Sequence, residues 1–137
     1  MQYPRGLLSQ EDATALKQFF GDDFDGVQIR FSKRPDRDGQ SALTQETTIE
    51  ISNAVAEFDR AGRLAVLAQE LTHVIQHMDG RIDPDDETCF DRLTAEAEVV
   101  AAVFMSPVGD QWERAFFAQS LLRQSTPTEA PNIFKSA

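Results

Sequence analysis

The span Arg60–Met78 constrains this chain more than any other, because its apolar residues recur at helical spacing without a break. Leu64, Leu67, Leu71, Val74, Ile75 and Met78 gather on one side at roughly 100° per residue. The opposite side carries Gln69, Glu70, His73, Gln76 and His77. A helix with structural duties alone has no reason to align so many ligand-type groups opposite its apolar stripe. The span is therefore read as a helix that buries one side and offers chemistry on the other.

Around it the chain reads as a mostly helical α+β domain. In residues 7–20, Ser9 followed by acidic residues makes a helix cap, and Ala13, Leu16, Phe19 and Phe20 fall at helical spacing up to Gly21. Residues 22–26 resemble part of a calcium loop but lack the closing glutamate, so a turn is expected there. Residues 27–31 alternate apolar and polar as a half-buried strand does, and residues 32–40, polar with Pro35 and Gly39, read as a loop. The β-branched run 47–51 is a second strand, expected at the sheet edge above a substrate cleft. An acidic turn over 79–87 leads to another long helix at about 90–105, buried through Leu93, Ala97, Val100, Ala101 and Phe104 and ended by Pro107 and Gly109. Residues 111–122 have the pattern of a further helix, and 125–137 is expected as a flexible tail or one docked by Phe134.

Composition narrows the class of function. With 137 residues, 41% of them hydrophobic, the chain can close one core but not two, so a single domain is expected. A lone cysteine, Cys89, excludes an internal disulfide and argues against a zinc finger. The net charge of −10 disfavours nucleic acid and anionic lipid as partners. No apolar run approaches the roughly 20 residues of a membrane span, and the opening residues lack a signal peptide's apolar segment. Cytoplasmic synthesis follows, with export as cargo without a cleaved signal left open.

Within the central helix, Gln69-Glu70-Leu71-Thr72-His73 matches the zinc-protease signature H-E-x-x-H at every position but the first. The signature works because two histidines four apart project from one helix side and hold one zinc, while the glutamate activates water. Here a neutral amide, Gln69, stands in the first ligand position. The third ligand of such sites commonly comes from a glutamate on the following helix, for which Glu96 and Glu98 are the candidates. His77, four residues after His73, offers a shifted alternative together with Glu96 or Glu98.

The wider stretch Leu67-Ala68-Gln69-Glu70-Leu71-Thr72-His73-Val74-Ile75-Gln76 resembles the L-A-H-E-L-T-H-V-V-Q segment of the bacterial extracellular contractile injection system core domain. Phe20-Gly21-Asp22-Asp23-Phe24, Ala42-Leu43-Thr44 and Glu96-Ala97-Glu98 extend the similarity over most of residues 7–102. The resemblance implies a zincin-like fold with the helix at 60–78 packed on the one at about 90–105. It further implies a zinc metallopeptidase in which Glu70 is the general base and His73 and Glu96 are metal ligands, with Gln69 in the place of the first. This chain departs from the family pattern at Gln69 and in the loop 32–40, where the family has a helix.

Losing one imidazole from three ligands weakens zinc binding by orders of magnitude. The expectation is therefore a degenerate, catalytically impaired domain that binds a peptide or protein partner, with zinc held weakly or not at all. The alternative is an active zinc endopeptidase that uses Glu70 as base and His73 and Glu96 as ligands.

Overall fold

The computed structural model describes residues 1–21, 25–32, 42–83, 85–106, 113, 114 and 116. Its elements in order are α1 (Gln10–Phe20), β1 (Gln28–Phe31), β2 (Ala42–Gln45), β3 (Thr48–Ile51), a short 3₁₀ helix (Asn53–Glu57), α2 (Arg60–Met78) and α3 (Glu87–Met105). The architecture is α+β and mostly helical, with a small sheet near the N-terminus and α2 packed on α3. No helix among the described residues is long and apolar enough to cross a membrane.

The helix boundaries follow from local chemistry. Ser9 caps α1 by accepting from the Asp12 N–H at 3.0 Å, and Gly21 ends it at φ 84° while its own N–H bonds Lys17 O. Asp59 caps α2 through the Gly62 N–H at 2.8 Å. At the other end Gly80 takes φ 70°, and the Gly80 N–H bonds His77 O while the Arg81 N–H bonds Gln76 O. This paired closure satisfies carbonyls that the last turn would leave orphaned. It also turns the chain back, so that Arg81 lies against the next helix.

The sheet has the order β1-β3-β2, with β1 parallel and β2 antiparallel to β3. Ile29 pairs with Ile49, and Ile49 and Ile51 are completely buried, so one side of the sheet is apolar and is covered by helix. Gln2 bridges to Gln28 on the outer side of β1. The core lies between this sheet and the helices, built on Leu16, Phe19 and Phe20 of α1, Leu67, Leu71 and Val74 of α2, and Val100 and Ala101 of α3. Phe19 meets Phe20 and Phe104 edge-on at centroid distances of 4.9 and 5.0 Å. Each such fully buried aliphatic or aromatic side chain contributes about 1.5–3 kcal/mol of transfer free energy.

Three sequence expectations change. The strand over 47–51 is β3 (Thr48–Ile51), and it is central rather than at the edge, because it pairs with β1 on one side and β2 on the other. The edges among the described residues are β1, met by the single Gln2 bridge, and β2, whose Ala and Gln content disguises it. On α2, Met78 leaves the apolar stripe and is 52% exposed, whereas Gln76 is completely buried. The helix expected at about 90–105 begins at Glu87, where Asp86 caps it by accepting from the Thr88 N–H at 3.0 Å. Of the helix expected over 111–122, Glu113, Arg114 and Phe116 are described, each helical. Residues 22–24, most of the loop 32–40 and the tail 125–137 lie outside the described residues.

Candidate functional site

A cleft of about 370 Å³ opens between the edge strand, the second half of α2 and the start of α3. Ala42, Leu43 and Thr44 of β2 form one wall, and Glu70, His73 and His77 of α2 line the side facing it. Positions 70, 73 and 77 are three and then four residues apart, which stacks them along one helix side. The far wall is made by Ile82, Cys89, Phe90 and Leu93, with Asp83, Asp86 and Glu87 near it.

Glu70, His73 and Gln76 of α2 are each fixed by a partner. The Thr44 hydroxyl donates to Glu70 Oε2 at 2.5 Å, a short charge-assisted bond that ties the carboxylate to the edge strand. His73 Nδ1 lies 2.7 Å from Gln76 Oε1. The orientation of the Gln76 amide is settled by its other end, because Nε2 lies 3.0 Å from Leu93 O and 3.3 Å from Glu96 Oε1, both acceptors. A flipped amide would set its oxygen against those two acceptors. Oε1 therefore faces His73, whose Nδ1 must carry the hydrogen between them, and His73 lines the cleft.

Glu96 is held by Arg81, whose Nη1 and Nη2 donate to Oε1 and Oε2 at 2.5 and 2.7 Å. Both side chains are largely buried, 17% and 14% exposed, so the pair is a strong bidentate contact between the turn after α2 and the middle of α3. Cys89, buried, directs its thiol to Arg81 O at 3.2 Å and keeps the turn in place.

His77 stands below the ordinary imidazole range, chiefly because burial penalises its charged form and secondly because His73 is close. Glu46 and a hydrogen bond to the Thr44 backbone oppose the shift in part. Asp86 lies below the usual carboxylate range because the Thr88 hydroxyl and N–H donate to it.

Of the residues singled out from the sequence, the structure brings Glu70, His73 and His77 into one cleft. Gln69 is half-buried and does not line that cleft, and Glu98 is exposed on α3. Glu96 connects to His73 only through Gln76. Among the described residues no group of three His, Cys, Asp or Glu side chains is placed to hold a metal ion. Two residues without a specific role in the sequence reading carry the geometry: Gln76, placed on the polar side of the helix, and Arg81. The signal for Gln76 is its spacing three residues after His73, and for Arg81 its position as the one cation in an acidic turn.

No curated protein and no solved structure matches the chain. The sequence model of the eCIS core domain matches residues 8–81, more than half of the chain, from the start of α1 to the turn that carries Arg81. The matched stretch holds the sheet, Thr44, Glu70, His73 and Gln76, and stops before Glu96. A chain matched over this length, through both walls that meet at Thr44 and Glu70, belongs to the eCIS core domain family.

Proposed function

We propose that this eCIS core domain is a zincin-like, metallopeptidase-type domain whose Gln69-Glu70-Leu71-Thr72-His73 motif has lost most or all catalysis, and that it acts by holding an extended peptide or protein segment in the cleft. The observation that carries this reading is the state of Glu96. Both of its oxygens are taken by Arg81, and a buried amide stands between it and His73. A metal drawing on Glu96 would have to break a largely buried ion pair, at a cost of several kcal/mol. Gln69 offers a neutral oxygen where an imidazole would be needed. The retained features suit binding: β2, a strand at the rim of the sheet, runs beside a cleft of ligand size.

The second reading, an active zinc endopeptidase, is favoured by one observation, that Glu70 and His73 face the same cleft. Zinc would supply Lewis acidity there; the chain's own part would be Glu70, held by Thr44, taking a proton from water.

Elemental analysis after equilibration with micromolar zinc and desalting, together with hydrolysis of unfolded casein, separates the readings. The proposal expects neither stoichiometric zinc nor hydrolysis from the wild-type chain, and a gain of zinc in Gln69→His. Near one zinc per wild-type chain, with hydrolysis abolished by Glu70→Gln, would overturn it.

A further inference from the structure

The hydrogen-bond chain behind His73 has a consequence for what the cleft can hold. Gln76 holds the ring with Nδ1 as donor, and in the tautomer this selects Nε2 is the acceptor. Glu70 beside it is a carboxylate, and Thr44 spends its hydroxyl hydrogen on that carboxylate. Across the cleft stand Asp83 and Glu87, with Asp86 already paired to Arg92 at 3.2 Å, and among the described lining residues there is no lysine or arginine. The cleft offers its ligand acceptors and negative charge. Its remaining surface is apolar, including Leu43 and Phe90, which are 46% and 69% exposed although both are large and hydrophobic.

We propose that the cleft is a receptor for a cationic side chain, arginine before lysine, carried by an extended peptide segment lying along β2. The proposal rests on the peptide-binding reading above and names the chemistry that reading leaves open. A long aliphatic stem ending in a cation matches a pocket with apolar walls and acceptors around it. A planar guanidinium can donate to Glu70 and His73 Nε2 together and can stack on the exposed ring of Phe90, which an ammonium does less well.

The test uses the full chain and fluorescent peptides Ser-Val-X-Val-Ser, with X arginine, lysine, citrulline or glutamate, titrated by anisotropy in chelator. Citrulline keeps the shape of arginine without its charge. Arginine is expected to bind about tenfold or more tighter than citrulline, lysine in between, and glutamate weakest. Asp83→Asn combined with Glu87→Gln, both exposed positions, is expected to narrow the gap between arginine and citrulline. Equal affinity for all four peptides would overturn cation selection and leave peptide binding standing, whereas no binding by any would remove both. Binding that requires added zinc chloride would also overturn the proposal. Independently, nitrogen-15 NMR of His73 is expected to find the hydrogen on Nδ1, and finding it on Nε2 would remove the acceptor on which the argument depends.

Discussion

Each end of α2 is tied down by an arginine that grips a carboxylate with more than one hydrogen bond, yet the two grips differ in their exposure to solvent. At the N-terminal end Arg60 meets Asp12 of α1 through Nε and Nη2, at 2.6–3.1 Å, but the arginine side chain is 67% exposed. At the C-terminal end Arg81 and Glu96 are both largely buried, and Glu96 passes its contact on to Gln76 and so to His73. The first pair fastens two helices and touches nothing in the cleft. The second is part of the scaffold that orients a cleft residue, so the same chemistry serves stability alone at one end and geometry as well at the other.

The contrast is open to direct attack. Arg81→Met should have the largest effect, about 3 kcal/mol of lost stability by urea unfolding, because it strands a carboxylate in a largely dry place. If it costs no more than disruption of the Asp12 pair, the distinction between the two ends collapses. Gly80→Ala comes next, at about 1–2 kcal/mol, since a Cβ at φ 70° is strained even though it would meet nothing within 4 Å. Thermal unfolding of that variant also tests whether the turn that delivers Arg81 depends on a left-handed residue.

Asp12→Asn is expected to cost about 1 kcal/mol at neutral pH, the exposure of Arg60 keeping the figure low. Hydrogen bonds from Arg60 are the main cause holding the Asp12 carboxyl below its usual value of 3.8. A group depressed in the folded state adds stability above its unfolded pKa and loses it as pH falls through the folded one. The wild-type advantage over Asp12→Asn should therefore persist at neutral pH and fade in strong acid. The smallest effect belongs to His77, whose folded pKa lies below the unfolded 6.5. Protonation then favours the unfolded chain, so wild-type stability should begin to fall as pH drops below about 6.5. His77→Gln, compared by urea unfolding at pH 7 and pH 5, should show a smaller fall.

How far these features can be read from the sequence depends on whether their cause is local. The bounds of α2 are legible because Asp59 and Gly80 each act on residues within a few positions of themselves, and the apolar period fills the span between them. The same holds for Ser9 and Gly21 around α1. β2 is not legible. Ala42-Leu43-Thr44-Gln45 has little intrinsic strand preference and is held in place by pairing with β3, through a turn whose Glu46 sits at φ 54° where glycine would be usual. Sheet order is equally hidden, since alternation in the β3 run marks it as half-buried without saying which strands flank it. In the cleft, Glu70 and His73 stand out by motif. The burial of Gln76 and the engagement of Glu96 are tertiary facts, fixed when α3 closes over α2.

The array that joins α3 to the cleft also has a direction. His73 gives to Gln76, Gln76 gives to Leu93 and Glu96, and Arg81 gives to Glu96 from the other side. Polarity thus runs toward a single anionic sink, and residue 76 must accept at one end of its side chain and donate at the other. A glutamate there would match the shape of glutamine but set acceptor against acceptor at Leu93 and Glu96, and could remain only by capturing a proton. Position 76 is thus a place in α2 where likeness of form gives no protection, and where one atom exchanged for another would break the join to α3 while leaving the acceptor that faces His73.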